Sequence, residues 1–431
     1  MTTDISVPIR PEAEATLGTQ RRSPIAVGLL TGGQDPHYVF GLTTALVGRN
    51  VLFEIIGSDA IDCPEFHTTP GLTFFALRKN KHASAGRAEK VFRIAAYYAR
   101  LFRYTAASRP KIFHILWNNK FEYFDRTLLM LFYKLFGKKI VFTAHNINQA
   151  RRDAKDSALN RLTLKIQYRL SDHIFVHTEE MKRELLSDFG VKQRAVTVVP
   201  YGMNNAVPDT GLTSAEAKRR LGIASDERAI LFFGAIAPYK GLDILLESFE
   251  AIAARDPRYR LVIAGKPKGG CGEYLKSMQE TIRRQGNEGR VIQNIGYIAD
   301  EQVETYFKAG DVLALPYREI FQSGILFLGY GFGLPVVAAD VGSFREEIVE
   351  GATGFVSKPE DAGDLADKIE KYFASDLYKE LTDRRREIKK YAEERHSWNV
   401  VGEMTRHVYA ELLGRDALGM DGPRKGTLEQ L

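Results

Sequence analysis

Lys240 is the residue of this sequence whose type and position point most directly to chemistry. It lies in a loop between a predicted strand, residues 229–233, and a predicted helix, residues 242–254, and Gly241 opens that helix. The unpaired N–H groups and positive dipole end of a helix N-terminus favour anions, and a lysine ammonium beside them adds a full charge. The loop is therefore predicted to hold a phosphate group, with an exposed turn lysine as the alternative interpretation.

Residues 316–347 contain a second pattern that is typical of anion binding. A polar, glycine-containing stretch, 318–324, leads into an apolar helical run, 325–332, and a Gly-Leu-Pro break precedes a β-branched strand that begins at Val336. This order predicts a helix N-terminus at the carboxyl edge of a parallel sheet, where phosphates bind. Glycines and a proline interrupt the uncharged residues 320–339, so we predict a buried helix and strand and not a transmembrane segment.

Two histidines stand near the carboxyl ends of predicted strands. His114 lies within the predicted strand 112–117, and His145 follows the predicted strand 139–144. A polar side chain just past the carboxyl end of a buried strand lies in the cleft of an open α/β sheet. His145 is therefore the candidate for active-site chemistry, and a local backbone hydrogen bond is the alternative for each histidine.

Two α/β units are predicted from the order of strands and helices. A strand at 25–30, a glycine loop, a helix and a strand at 51–56 form one βαβ unit, and the alternation restarts at residue 229. The length of 431 residues suits two domains, and the polar stretch 203–225 is their predicted boundary. Gly33, after the first strand, either lets the backbone approach a ligand or only makes a tight turn.

Composition and missing motifs exclude several classes of protein. The 44% hydrophobic and 26% charged fractions are typical of a globular protein. The two cysteines, Cys63 and Cys271, are far apart, which predicts neither a disulfide framework nor a metal site and favours a reducing cytoplasm. The sequence lacks GxxxxGK[ST], GxGxxG after the first strand, HExxH and DxD, which disfavours P-loop enzymes, nicotinamide dehydrogenases and metal-dependent diphosphate chemistry.

Residues 86–140 are basic and rich in aromatic side chains. Twelve lysines and arginines stand against three acidic residues there, a local charge of +9 in a chain whose total is +6. Such a surface can contact anionic lipid headgroups, and two core-facing helices with basic outer faces are the alternative. Because no nucleic-acid recognition motif is present, nucleic acid is not an expected partner.

Five stretches of the second half, in this order, resemble one enzyme family. They are FFGAIAPYKGLDILLESF (232–249), RLVIAGKP (260–267), VIQNIGYIADEQVETYFKAGDVLALPY (291–317), FQSGILFLGYGFGLPVVAADVGSFREEIVEGATGFV (321–356) and RHSWNVVGEMTRHVYAELL (395–413). In the first half KIFHILW, VFTAHNIN, HTEEMKRELLSDFGV and VTVVPYG fit more loosely. Over about residues 24–413 the chain resembles the retaining family-4 glycosyltransferases, in a subgroup with a QSG signature.

The resemblance implies an α/β fold with two Rossmann-like domains that face each other across a cleft, the GT-B fold. A disordered leader, 1–23, would precede an N-terminal acceptor domain, 24–205. A nucleotide-sugar donor domain, 206–397, would follow, a helix at 398–413 would cross back to the first domain, and a disordered tail, 414–431, would end the chain.

The resemblance also implies roles for individual residues. Lys240 matches the lysine that contacts the donor phosphates, and His145 matches the histidine close to the reacting sugar, so these two are the expected catalytic residues. The other expected donor-binding residues are Gly33 near the phosphate, Gln322, Ser323, Gly324 and Ile325 around the diphosphate, and Gly296 and Tyr297 near the base.

Three features of the sequence depart from the family pattern. Ala235 stands where many members have an arginine, and Ile320 and Leu328 stand where a pair of glutamates is common. Glu319 is the candidate replacement for the first carboxylate. Tyr201 replaces the histidine of the frequent PHG. These changes leave open how the sugar hydroxyls are recognised.

The sequence thus predicts transfer of a sugar from a nucleoside-diphosphate sugar to an acceptor hydroxyl, with retention and without a metal or other cofactor. The expected acceptor is a glycan or a lipid-linked saccharide, in bacterial exopolysaccharide or lipid-linked saccharide synthesis. The expected location is the cytoplasm, with peripheral contact to the anionic inner face of the membrane. A catalytically silent sugar-nucleotide or glycan-binding subunit, and a sugar-nucleotide epimerase of similar fold, are the alternatives.

Overall fold

The computed structural model describes residues 23–33, 35–59, 61–78, 87–119, 121–152, 156–203 and 207–414. Nearly all of the predicted leader and tail, and the predicted domain boundary at 205 and 206, lie outside these residues and stay predictions. Lys120, one of the basic residues counted above, lies outside them as well.

Two parallel sheets carry the fold. The strands of the first are β1 (Ile25–Leu30), β2 (Val51–Ser58), β3 (Leu72–Arg78), β4 (Ile112–Ile115), β5 (Lys139–Thr143), β6 (His173–Val176) and β7 (Val196–Val198). Those of the second are β8 (Arg228–Phe233), β9 (Tyr259–Gly265), β10 (Val291–Ile295), β11 (Val312–Leu315), β12 (Val336–Ala339) and β13 (Gly354–Ser357). Within the described residues the orders are β3-β2-β1-β4-β5-β6-β7 and β10-β9-β8-β11-β12-β13. The predicted pair of Rossmann-like domains is confirmed.

Helices cover both sheets. The α-helices of the first half are Pro36–Val47, Pro64–Thr68, Arg87–Ala107, Glu122–Phe124, Met130–Leu135, Gln149–Arg152, Ala158–Leu170 and Glu179–Phe189, with a π-helical turn at Asp125–Leu129 and a 3₁₀ turn at Gln193–Ala195. Those of the second half are Ser214–Arg220, Leu242–Arg255, Gly272–Arg284, Asp300–Ala309, Gly324–Gly331, Phe344–Glu347, Ala362–Ala374, Asp376–Lys379, Leu381–His396 and Trp398–Leu412, with a 3₁₀ turn at Pro238–Lys240. None of the helices in the described part of the chain has the length and apolar composition that crossing a membrane requires.

The strand orders place loops at the centre of each sheet's carboxyl edge. The order reverses between β1 and β4 in the first sheet and between β8 and β11 in the second. Loops leave in opposite directions at such a switch point and open a crevice between them. Gly33 follows β1, Lys240 follows β8 and Ser323 follows β11. The predicted phosphate-binding residues therefore lie at these crevices.

The last helix, Trp398–Leu412, packs on the first domain. Tyr409 is fully buried, and its hydroxyl lies 2.6 Å from Nδ1 of His114 on β4. Trp398 lies so close to Gly41 that a Cβ on Gly41 would be 2.1 Å from the indole ring. Glycine at position 41 therefore allows this close helix contact, which ties the end of the chain to the first sheet.

Candidate active site

The carboxyl edges of the two sheets enclose a cavity of about 320 Å³. The first half contributes Asp35, His37, Tyr38, Tyr201 and Gly202. The second half contributes Lys240, Ile320, Gln322, Ser323, Gly324, Ile325, Leu328 and Trp398. The structure thus brings Lys240 together with the four residues of the QSG stretch that the sequence predicts to bind the donor.

Lys240 is held in a fixed position although its side chain carries a charge. Its exposed fraction is 6%, its ammonium donates to the hydroxyl of Tyr317, and its Nζ lies 4.0 Å from the centroid of the Tyr317 ring. An ammonium over an aromatic face is attracted by the ring quadrupole, which offsets part of the cost of burial. Burial also raises the pKa of Tyr317, so this phenol stays neutral. The cation is therefore oriented before any ligand arrives.

Gly241 fixes the path of the chain directly after Lys240. Its φ is +67°, and a Cβ there would lie 1.9 Å from the carbonyl oxygen of Pro316. Only glycine fits both the left-handed conformation and this close approach. The sequence signal of a glycine at the helix start thus has a physical basis, because it brings the Lys240 loop against the β11 loop.

A helix N-terminus lies in the same cavity as Lys240, in the wall that is predicted to bind phosphate. The helix Gly324–Gly331 begins after Ser323, whose side chain does not cap it and whose Oγ lies 3.5 Å from the Tyr317 hydroxyl. The first N–H groups of a helix have no partner within the helix. Behind this loop the N–H of Ser343 donates to the carbonyl of Phe321, with the two atoms 3.0 Å apart. The helix start is therefore braced from outside and offers donors to an anion.

Gln322 has an unsatisfied amide in the same wall. Both side-chain atoms, Oε1 and Nε2, are shielded from solvent, and neither has a hydrogen-bond partner among the described residues. Buried amide groups are nearly always hydrogen-bonded. A ligand with adjacent donors and acceptors, such as a sugar, would satisfy both atoms.

His145 lies in a stack of aromatic rings on the first domain. Its ring is parallel to the Trp117 indole, with centroids 4.4 Å apart and an angle of 9° between planes, and it meets Tyr38 edge-on at 4.8 Å. Burial, then the neighbouring His177 and His114, lower the pKa of His145 well below its ordinary value. His145 is therefore neutral at pH 7. No sequence pattern indicates His177, because it lies 32 residues from its partner His145.

His145 also borders a second, smaller cavity of about 80 Å³ in the first domain. Its polar lining includes Asn118, Glu122, Arg126, Asn146, Gln149 and Gln167. Asn118 and Gln167 exchange hydrogen bonds of 3.1 and 2.8 Å. Amide-rich walls of this kind suit a hydroxylated ligand.

Gly33 lies close to two residues that sequence analysis missed. The hydroxyl of Ser58, buried at the end of β2, has no partner among the described residues, and Arg78 at the end of β3 lies 3.5 Å from the carbonyl oxygen of Gly32. Arg78 was missed because β3 was not predicted, and Ser58 because it lies beyond the predicted end of β2 at residue 56. The glycine loop therefore faces a cation and a free hydroxyl.

The remaining predicted residues lie outside the central cavity. Tyr297 has an exposed fraction of 74% and follows Gly296 at the end of β10, at the edge of the second sheet. The ammonium of Lys266 lies 5.6 Å from the centroid of the Tyr297 ring. Glu319 is exposed and does not line the cavity. His114 is buried between Tyr409 and Thr143, 2.7 Å from the Thr143 hydroxyl.

The two domains also contact each other directly beside the cavity. Nε2 of His37 lies 3.1 Å from a carboxylate oxygen of Asp300. The indole N–H of Trp398 donates to the carbonyl of Met203 at 2.7 Å, next to the undescribed residues 204–206. In the described part of the chain no group of three or more His, Cys, Asp or Glu residues is arranged to hold a metal ion.

Comparison with known protein families finds a glycosyltransferase family for each half of the chain. The family described as Glycosyltransferase Family 4 matches residues 37–206, and the family described as Glycosyl transferases group 1 matches residues 213–395. The chain belongs to the glycosyltransferases. This glycosyltransferase is 24% identical over 375 residues to a D-inositol 3-phosphate glycosyltransferase of Geodermatophilus obscurus, covering 83% of this chain and 82% of the relative. It is 25% identical over 383 residues to the protein of that name from Mycolicibacterium smegmatis, covering 86% of this chain and 84% of that relative.

Solved structures share the fold of this glycosyltransferase. A sucrose-phosphate synthase from Thermosynechococcus elongatus aligns with a TM-score of 0.72 and 17% identity, over 90% of this chain and 99% of that one. The Anabaena protein HepE in complex with UDP aligns with a TM-score of 0.69 and 16% identity, over 90% and 100%. At these identities the likeness establishes the GT-B fold.

Proposed function

We propose that this glycosyltransferase moves a sugar from a nucleoside-diphosphate donor to an acceptor hydroxyl, with retention at the anomeric carbon and without a metal. The observation that carries the proposal is the meeting of Lys240 with the Gly324–Gly331 helix start in one cavity. As the bond from the sugar to the diphosphate breaks, negative charge grows on the leaving oxygen. An oriented ammonium and helix N–H groups stabilise that charge.

The comparisons support this donor class. HepE, of the same fold, was solved in complex with UDP and with UDP-glucose. The matched relatives carry the name D-inositol 3-phosphate glycosyltransferase, so an inositol phosphate is one acceptor to test. The acceptor would lie on the first domain, next to His145 and the amide-lined cavity of about 80 Å³.

The experiment is release of nucleoside diphosphate from a panel of donors, with and without an inositol phosphate or a bacterial lipid extract as acceptor. The panel contains GDP-mannose, UDP-glucose, UDP-galactose, UDP-N-acetylglucosamine and UDP-glucuronate. We expect one donor to be turned over, an unchanged rate in EDTA, and a product with the donor's anomeric configuration by proton NMR. An inverted product, or loss of turnover in EDTA, would contradict the corresponding part of the proposal.

A silent binding subunit is the second candidate, and one observation favours it. Ile320 and Leu328, which replace the carboxylates common in the family pattern, both line the cavity, so that part of the wall is apolar. Under this hypothesis UDP or GDP raises the melting temperature while no donor in the panel is consumed. Turnover of any donor excludes it.

We further propose that the enzyme acts in exopolysaccharide or lipid-linked saccharide synthesis at the cytoplasmic membrane surface. An exposed apolar surface on the first domain supports this location. Its residues, with exposed fractions between 45% and 84%, are Leu128, Leu131, Leu135, Phe136, Leu159 and Leu162. We call it the leucine face. Exposed patches of large apolar side chains mark interaction sites, and amphipathic helices use them to enter a lipid interface.

The structure changes the expected role of the basic residues around this surface. Arg126 is buried and bonded to Glu122, the ammonium of Lys134 pairs with Asp172, and Lys138 is buried. Part of the local charge is therefore neutralised within the fold. Lipid contact would rest on apolar burial through the leucine face, with charge as a smaller contribution.

Vesicle flotation separates these contributions. We expect the double variant Leu131→Gln and Leu135→Gln to lose most binding to phosphatidylglycerol-containing vesicles. Leu52→Gln, a leucine of similar exposure on β2, is the control and should bind normally. Charge reversal at Arg93, Arg100 and Arg103 should weaken binding less. Unchanged flotation of the leucine double variant would remove the leucine face from the proposal.

A further inference from the structure

A chain of three hydrogen-bonding groups leads from the backbone to His145. Nδ1 of His177 lies 3.2 Å from the carbonyl oxygen of Val199, and Nε2 of His177 lies 3.1 Å from Nδ1 of His145. The other ring nitrogen of His145, Nε2, is shielded from solvent and has no partner among the described residues. The proposed function uses His145 but gives no role to His177.

The carbonyl of Val199 determines which ring nitrogens of His177 and His145 carry a hydrogen. A carbonyl oxygen only accepts, so Nδ1 of His177 carries the hydrogen that it donates to Val199. In a neutral ring the second nitrogen then has a lone pair, so Nε2 of His177 accepts from His145. Nδ1 of His145 is the donor in that bond. Nε2 of His145 is consequently left with a lone pair and no hydrogen.

Both rings are neutral at pH 7, which this proton order requires. Burial lowers the pKa of His177 to about 4, and burial with the neighbouring His177 and His114 lowers that of His145. A second proton on His177 would turn its acceptor Nε2 into a donor that faces the Nδ1–H of His145. A second proton on His145 would leave a buried N–H without a partner among the described residues. The phenols that pack against the His145 ring, Tyr38 and Tyr201, are also neutral, because burial raises their pKa values.

We propose that His177 is a positioning residue that holds His145 as the Nδ1–H tautomer, so that Nε2 of His145 accepts a hydrogen bond from a hydroxyl of the bound sugar or acceptor. The lone pair of Nε2 repels phosphate oxygens, and the lowered pKa of the His145 ring makes it a weak general base. His145 therefore orients a hydroxyl, while Lys240 holds the diphosphate. The identity of the hydroxyl rests on the proposed function, and the tautomer does not.

The tautomer is measured directly on the full-length protein. The nine histidines are labelled with ¹⁵N at both ring positions, and two-bond nitrogen–proton spectra at neutral pH distinguish protonated from unprotonated nitrogens. His145→Gln and His177→Gln identify the two rings by the signals that disappear. We expect Nδ1–H and unprotonated Nε2 for both. A cationic ring, or Nε2–H on His145, would overturn the proposal whether or not a donor has been found.

Two variants of His177 then test whether the tautomer matters for transfer. In His177→Gln the amide can still donate to Val199 and accept from His145, whereas in His177→Phe both bonds are lost. We expect His177→Gln to keep kcat within about threefold and His177→Phe to lose about tenfold, the scale of one neutral hydrogen bond, with little change in donor KM. His173→Gln, at another buried histidine on the same sheet, is the control.

A purely structural role gives a different pattern. Both His177 variants would then lose activity in proportion to their loss of melting temperature. Equal kcat for the two variants would overturn the proposal. If His177→Phe does not fold, the nitrogen spectra of the unaltered protein still decide the tautomer.

Discussion

Replacing Lys240 by alanine removes the cation around which the proposed mechanism is built. The ammonium is buried at 6% exposure and is fixed by the Tyr317 ring and hydroxyl, so it meets the leaving group without prior reorganisation. At an effective dielectric constant of about 20, a charge about 4 Å from a phosphate charge contributes about 4 kcal/mol. Removal of one preorganised donor typically costs about 10²–10³ in kcat. We expect a loss in that range.

Steady-state release of nucleoside diphosphate from the accepted donor is the assay for this prediction. Lys268→Ala is the control, because Lys268 lies on the next loop, 5.3 Å from the centroid of the Tyr239 ring, but does not line the cavity. Tyr317→Phe keeps the ring beneath the ammonium and removes only the hydroxyl. We expect about a tenfold loss or less from it, since a single neutral hydrogen bond contributes about 0.5–1.5 kcal/mol.

The melting temperature of each variant is measured first, so that lost activity is not confused with lost folding. Lys240→Ala should unfold close to the unaltered protein and bind the donor more weakly. Near-normal turnover in a folded Lys240→Ala protein would refute the role of Lys240. Equal losses in Lys240→Ala and Lys268→Ala would show a general effect of positive charge and not a specific contact.

Three further predictions concern single side chains. Gln322→Leu should lower kcat/KM for the donor by about tenfold, because it removes the unsatisfied amide from the cavity wall, and an unchanged value would exclude a sugar contact. Lys218→Met should destabilise the protein by about 3–5 kcal/mol in urea unfolding, since it strands the buried carboxylate of Asp311, whereas Lys379→Met at an exposed pair should have almost no effect. Burial lowers the pKa of His173 in the folded protein to about 4, whereas the ordinary pKa of histidine is about 6.5. Between these two pH values the unfolded chain binds a proton that the folded protein does not, so the free energy of unfolding falls as the pH drops from 6.5 to 4. His173→Gln should reduce the total fall in unfolding free energy between pH 6.5 and 4 by at most about 3 kcal/mol. An unchanged dependence of unfolding free energy on pH would contradict the lowered pKa of His173.

Most strands could be predicted because they are buried on both faces of a sheet and therefore have continuous apolar sequences. β1, β10 and β11 fall on the predicted residues, and each predicted run of apolar side chains became a parallel strand. Two edge strands, β3 and β13, were missed. β3 is only partly buried along most of its length, and β13 has only two large apolar residues, Phe355 and Val356. Neither therefore carries the continuous apolar run that predicts a central strand.

Part of the candidate site could be predicted, namely the residues that lie next to a helix start in the sequence. Lys240 with its glycine, and Ser323 with its helix, are neighbours in sequence, so their pairing with a helix N-terminus is visible in the chain. Tyr317 and Tyr38 were not selected, because aromatic residues at strand ends and in helices are usually part of the core. Their roles depend on which charged or polar group packs against the ring, and that contact is made across the sheet.

The two α/β units, the loops predicted to bind phosphate and the family could be inferred from the amino-acid sequence, because each depends on residues within one short stretch. The tertiary structure decided which groups share a cavity and in what chemical state. Val199, His177 and His145 are adjacent only because β5, β6 and β7 are neighbours in the sheet. Their burial and the direction of their hydrogen bonds, which follow from that packing, set where the protons lie.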